Sequence, residues 1–324
     1  MSEVVATGDV RAVATRVAAQ RRIGTTDLWV PPLALDGSVF GWAAGADATS
    51  AILDSFRELG GTMISTADHY AAGRSEVMIG SWLRDARDRD NVVIATKIGR
   101  HPDAYGLSQR SILRAVDASL CRLDTDRIDV LSFDGEHPEN PLDESLEAAD
   151  RLIREGKVRF LAAAGHSAGR IDTVNRMAEG SAYPNFSAIF VEYNLMDRDE
   201  FEKRLTGVSS RLGRGAIARL PLANGFLTGR FRNRDEVPSS VMYGGAVRHI
   251  GRRGMRVLAA LQAVAHDLGV ASSVVALAWV LSKPGIAATV VRAKDPDVLA
   301  ELFTAQALGL TRHHITALER ASAH

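Results

Sequence analysis

The chain holds a single cysteine, Cys121, in 324 residues. One cysteine excludes an intramolecular disulfide and fits a reducing compartment. It sits in an amphipathic pattern over residues 109–122 and reads as a small core residue. Net charge is also missing, because 39 lysines and arginines balance 39 aspartates and glutamates. No global field therefore draws the protein to nucleic acid or to an anionic membrane. No uncharged apolar stretch reaches the roughly 18 residues of a membrane helix. The first twenty residues mix acids and arginines and do not read as a secretory leader, so the expected compartment is the cytoplasm. Metal-ligand spacing is absent as well. His69, His137 and His166 form no His-x-x-x-His pair, so no metal is expected.

What is present is alternation. With 46% hydrophobic and 24% charged residues, the composition suits a large buried core. Short β-branched apolar runs occur at 33–35, 61–66 (GTMIST), 91–97 (NVVIATK), 127–133 (RIDVLSF), 157–164, 188–193, 216–222 and 288–292. Such runs mark parallel strands buried on both faces. Helical three- and four-residue spacing fills 50–59, 75–86, 109–122, 143–154, 253–268 and 272–281. Gly60 and Gly156 follow two of these helices where left-handed caps are expected. Eight alternations without a composition break predict one (β/α)8 TIM barrel over residues 21–324, after an N-terminal extension at 1–20. Residues 21–32 are expected to form a short hairpin closing the barrel floor. Residues 223–251, rich in Gly and Arg, read as a long functional loop.

Barrels of this kind carry their sites at the carboxyl ends of the strands. That rule selects Asp36, residues 65–70, Lys97, Asp134, residues 164–166, Tyr193, Asn194, residues 219–224 and Arg292. Ser65-Thr66-Ala67-Asp68-His69-Tyr70, then Gly73-Arg74-Ser75-Glu76, resembles the segment after the second strand of the aldo-keto reductases. Thr96-Lys97, Gly156-Lys157-Val158-Arg159, Glu192-Tyr193-Asn194, Pro221-Leu222-Ala223 and Gly225-Phe226-Leu227-Thr228-Gly229 follow in the family's order. The resemblance runs from about residue 21 to about residue 307.

The resemblance implies a catalytic tetrad and hydride transfer from NADPH. Tyr70 and Lys97 stand at the positions of the tyrosine acid and its lysine. Ser65 replaces the aspartate and Asp134 the histidine. At the cofactor positions, Ala164 and Gly165 replace a Ser-Asn pair and Phe190 a glutamine. Arg219 replaces the aromatic that stacks on nicotinamide, and Leu220 the next serine. Val298 replaces a basic residue that grips the adenosine phosphate. Lys294 and Glu301 remain as cofactor contacts.

Each lost hydrogen bond costs roughly 1–3 kcal/mol, and three or four weaken binding by about a thousandfold or more. On that count no cofactor is expected. Asp134 then supplies the pairing for Lys97 that is lost at Ser65, and Tyr70, Lys97 and Asp134 form a proton-transfer group for redox-neutral chemistry (dehydratase, isomerase, cyclase or lyase) on a small carbonyl-containing metabolite. A cation near the phenol is expected to bring its pKa toward neutral. Ser65, His69, His137, His166, Asn194 and Arg219 are the expected substrate contacts. Arg219 either grips a ligand carboxylate or phosphate or pairs with an acid such as Asp134. The alternatives are a divergent NADPH-dependent carbonyl or enone reductase and a non-catalytic barrel binding a metabolite or partner. The resemblance implies a monomer or weak homo-oligomer.

Overall fold

The computed structural model describes residues 19–213, 215–240 and 243–323. Most of the extension expected at 1–20 lies outside them. Two short strands, β1 (Arg21–Arg22) and β2 (Trp29–Val30), pair antiparallel. Eight parallel strands follow and close into a barrel: β3 (Leu33–Asp36), β4 (Met63–Ala67), β5 (Val93–Ile98), β6 (Ile128–Asp134), β7 (Val158–Ala164), β8 (Phe186–Glu192), β9 (Ala216–Arg219) and β10 (Ile286–Val291), with β10 returning to β3. This is the (β/α)8 barrel read from the alternation.

The strands are almost wholly buried because both faces are covered, one by the barrel interior and one by helices. The interior cluster is built from alternate residues, among them Ala34, Met63, Ala95, Val130, Ala162, Ala188, Ile217 and Ala288. Small side chains fill most of it. Ile23, Leu28 and Val30 of the hairpin belong to the same cluster, so β1 and β2 plug the amino-terminal end as expected. The larger cluster lies between strands and helices and includes Phe56, Trp82, Phe226, Trp279 and Phe303.

Helix ends follow the sequence signals. Gly60 (φ +81°) and Gly156 (φ +73°) follow the helices Ala46–Glu58 and Leu142–Arg154 in the left-handed conformation. Asp143 and Glu144 occupy the first turn of the second, where the helix dipole favours acids. Cys121 departs from expectation, because it is exposed. The buried stripe of helix Gln109–Leu123 runs through Ile112, Ala115, Val116, Ser119 and Leu123, and position 121 falls outside that spacing. No single helix among the described residues is long and apolar enough to cross a membrane.

Gly80, on helix Arg74–Ala86, shows how tightly neighbouring helices meet. A Cβ there would lie 2.4 Å from the Arg122 carbonyl oxygen and 2.6 Å from the Leu123 carbonyl carbon. Backbone cannot rotate aside as a side chain can. Gly80→Ala is therefore expected to destabilise the protein by about 1–3 kcal/mol. A denaturant midpoint equal to that of the unsubstituted protein would show that the two helices separate freely.

Candidate active site

Strand alternation decides which side chains reach the barrel mouth. Interior residues Ala34, Met63, Ala95, Ile217 and Val290 are each followed, two positions on, by Asp36, Ser65, Lys97, Arg219 and Arg292. On β6 the same parity carries Val130 to Asp134. Three cations and two acids therefore crown an otherwise apolar interior, with Ser65 among them.

Lys97 is 2% exposed. Its ammonium donates to Ser65 Oγ (3.1 Å) and to the Thr66 carbonyl. It lies 5.0 Å from the centre of the Tyr70 ring and 5.6 Å from that of Phe190. Burial, then the positive charge of Arg219, lower its pKa to about 8, against the pull of Asp36, Asp134 and Asp68. Lys97 is thus an ammonium at neutral pH that is easily discharged.

A stability prediction follows from this shift. Between about 8 and the unperturbed 10.5, unfolded Lys97 holds a proton that the folded form has released. Stability contributed by this group therefore rises with pH across that window, and the burial penalty is fully present below it. Lys97→Met is expected to be more stable than the unsubstituted protein at neutral pH and to lose the rise. Parallel denaturant curves at both ends of the window test this, and an identical pH slope in the two proteins would contradict it.

Tyr70 opens a short 3-10 turn, Tyr70–Gly73, after β4. Ala71 (φ +51°) and Ala72 (φ +55°) within it adopt the left-handed conformation, which costs roughly 1–2 kcal/mol per non-glycine residue. Strain of this kind collects at sites where geometry is over-determined. The phenol pKa moves up, contrary to the expectation of a near-neutral phenol. Burial raises it first and Asp36 second, and Arg219 and Arg292 offset them only in part. Tyr70 is therefore held protonated, which suits it to donate a proton and unsuits it as a base.

Asp134 is 3% exposed, and its Oδ2 lies 3.2 Å from Arg100 Nε. Its ion-pair partner is thus Arg100, from the loop after β5, and the pairing expected with Lys97 is replaced by Ser65 and Thr66. Asp134 Oδ1 has no partner among the described residues. Asp36 is buried beside Ser65 in the β3–β4 register. It accepts from the Ser38 amide (3.0 Å) and lies 3.9 Å from Arg292 Nε. It is a carboxylate one strand away from the position where the family's aspartate is missing. Arg100, in the loop beyond β5, lies outside the strand-end set. Asp36 lay in the strand-end set, but its adjacency to Ser65 needs the closed barrel.

The remaining expected contacts divide. His69 stacks edge-on against Tyr70 with centroids 5.0 Å apart, and its Nδ1 lies 3.3 Å from Asp68. His137 is tied to the Asp134 carbonyl and to Glu139, each at 3.2 Å. His166 contacts the Ala164 carbonyl at 3.1 Å, and burial lowers its pKa, so it stays neutral. Asn194 is fully buried. Its amide donates to the Leu220 carbonyl (3.0 Å) and to Asp197, and its oxygen accepts from the Met196 and Asp197 amides. Asn194 thereby braces the turn after Arg219, in which Leu220, Ala223 and Asn224 all have positive φ. Arg248, in the long loop, bonds Glu192 and lies 3.0 Å from Asp197, fastening that loop to the end of β8.

Beyond Leu220 a second recess of about 240 Å³ opens between the turn after β9 and the segment after β10. Arg230, Ser273, Lys294 and Glu301 are on its walls. Among the described residues neither Arg230 nor Lys294 makes a side-chain hydrogen bond or ion pair.

The aldo/keto reductase family model matches residues 38–323. The chain belongs to the aldo/keto reductase family. It is 28% identical over 297 residues to a Schizosaccharomyces pombe protein named as a voltage-gated potassium channel subunit beta, covering 87% of this chain and 86% of that one. An Arabidopsis thaliana protein named as a subunit of the same kind is also 28% identical, covering 87% of this chain and 89% of its own. The Bacillus subtilis protein named as oxidoreductase YqkF is 29% identical over 307 residues, covering 93% and 95%.

These findings correct two expectations. Membership of a family that transfers hydride from NADPH, with a relative named as an oxidoreductase, overturns both the cofactor-independent acid/base enzyme and the absence of a cofactor. The structure shows where the count of lost contacts went astray. It weighed losses at the ring end, where Ala164 and Phe190 are buried and apolar, and at the phosphate end, where Leu220 and Val298 line the recess, but it left out Arg230 on the same recess. The recess beyond Leu220, with two unpaired cations on its walls, fits the phosphate-bearing end of a dinucleotide.

Proposed function

We propose that the protein is an NADPH-dependent reductase of carbonyl or enone compounds. The observation that carries this reading is the Tyr70–Lys97 pair: a phenol held protonated at the barrel mouth, with a buried ammonium 5.0 Å from its ring. Lys294 and Arg230 would hold the cofactor's phosphates, and Glu301 lies on the same wall. When bound, a reduced nicotinamide supplies the hydride. The chain's own part is then proton delivery. Tyr70 gives its phenolic proton to the oxygen that gains charge as the carbonyl is reduced. Lys97, fixed by Ser65 and Thr66, stabilises the phenolate left behind. Asp36 keeps a negative charge near both groups, so the lysine remains charged up to about pH 8. Asp134, anchored by Arg100, borders the mouth on the side of β6 and supports an acidic wall rather than a proton relay.

Calorimetric titration with NADPH, followed by cofactor oxidation at 340 nm against aldehydes, ketones and enones, tests the reading. Micromolar binding and carbonyl-dependent oxidation are expected. No binding at millimolar NADPH would sink it.

A further inference from the structure

Arg219 is the last residue of β9 and points from the barrel interior toward the mouth. It lines a cavity of about 790 Å³ between the ends of β7, β8 and β9. That wall is rich in charge, and every other charged side chain on it is engaged. Glu192 and Asp197 share Arg248. Asp199 pairs with Lys203 and Glu200 with Arg204. Arg198 pairs with Glu202 at 2.9 Å. Glu136 accepts from the Ser167 amide at 2.8 Å, and the His166 ring is used by the Ala164 carbonyl. On that wall the Arg219 guanidinium alone makes neither a side-chain hydrogen bond nor an ion pair among the described residues. The pairing with Asp134 that would have filled the groove is not made, because Asp134 is held by Arg100.

A guanidinium drawn out of water with its donors unused is costly, and the usual remedy is an anion. Its surroundings choose the anion. After burial, the group that acts on Arg219 most strongly is the Tyr70 phenol, followed by Asp134, Asp36 and Glu192. Those three carboxylates would repel a dianionic phosphate, which carries about two charges. A monoanionic carboxylate matches one planar guanidinium with two parallel hydrogen bonds. We propose that Arg219 is a carboxylate receptor and that the substrates are small oxo acids, whose carboxylate sits on Arg219 while the carbonyl faces Tyr70. The carbonyl half of this assignment rests on the reductase reading, whereas the carboxylate half stands on the unpaired arginine.

The test is calorimetric, using oxamate, a carboxylate with an amide carbonyl that is not reduced, and ethyl oxamate, its neutral ester. Both are titrated with and without NADPH. The unsubstituted protein is expected to prefer oxamate by about tenfold to a hundredfold, the range of a charge-assisted pair. Arg219→Gln removes the preference and Arg219→Lys keeps part of it, with melting curves confirming that both variants fold. Equal affinity for the two probes in the unsubstituted protein overturns the proposal without any variant. So does an Arg219→Gln protein that binds oxamate normally but has lost NADPH, because the residue then belongs to the cofactor. Failure of the reductase reading looks different: oxamate preference persists, yet no carbonyl compound drives NADPH oxidation. Reduction of neutral aldehydes without any oxamate preference leaves the reductase reading and removes this one.

Discussion

Tyr70→Phe is expected to lower kcat/KM for carbonyl reduction by about a hundredfold to ten-thousandfold, the usual worth of a positioned general acid. The substitution keeps the ring, and with it the contact to Lys97 at 5.0 Å and the edge-on packing of His69. It removes only the hydroxyl. Stability should therefore change little, and NADPH affinity should be unaltered, because Tyr70 is not among the residues lining the recess with Arg230 and Lys294. The effect should appear mainly in kcat, since the phenol's proton is needed only as negative charge grows on the substrate oxygen. Steady-state rates on the best carbonyl substrate, with the cofactor dissociation constant measured separately, decide the matter. A Tyr70→Phe protein that reduces at the original rate would assign proton delivery elsewhere and leave Lys97 without a role in it.

The largest effect on stability is expected at Asp129, far from the mouth. Its carboxylate is 2% exposed and holds three donors from three segments: Arg89 Nη2 at 2.8 Å, Arg159 Nη1 at 3.0 Å and the Ile94 amide at 2.9 Å. Arg159 also reaches Asp27 in the hairpin that plugs the floor. One carboxylate thus ties β5, β6 and β7 together near their amino-terminal ends. Burial already works against the charge of Arg89, and Asp129 is what sustains it. Asp129→Ala leaves that guanidinium and a buried strand amide unpaired, so a loss of about 3–5 kcal/mol is expected. Guanidinium denaturation would measure it. A loss below about 1 kcal/mol would mean that water or the Arg127 carbonyl, which already accepts from Arg89, makes good the deficit.

Much of the site was legible as strand-end positions. Tyr70, Lys97 and Arg219 could be placed at the mouth because parallel strands in a barrel end on one face and alternate strictly in direction. Their partners were not legible. Asp134 read as the replacement anchor for Lys97, whereas Arg100 takes it from a loop whose path no periodicity describes. Lys97 is held instead by Ser65 and a main-chain carbonyl, and carbonyls leave no trace in a motif. His166 and Asn194 read as substrate contacts, but Asn194 spends its whole amide on the turn that carries Arg219. The Tyr70 phenol read as near-neutral because one cation was counted; burial and Asp36 outweigh it. The cofactor expectation failed for a related reason. Losses such as Phe190 and Val298 follow position by position from the chain, while the recess that brings Arg230 beside Lys294 forms only when residues 220–230 meet residues 290–302.

The amino-acid sequence by itself determined the barrel, its floor hairpin, most helix ends and the set of side chains that point into the mouth. These follow from apolar periodicity, glycine caps and strand parity, all of which act over a few residues. Tertiary structure alone decided which charges meet, which remain unpaired and how each pKa moves. Burial and electrostatic pairing depend on distances between strands and loops far apart in the chain, as where Arg100, from the loop after β5, takes the Asp134 carboxylate at the end of β6.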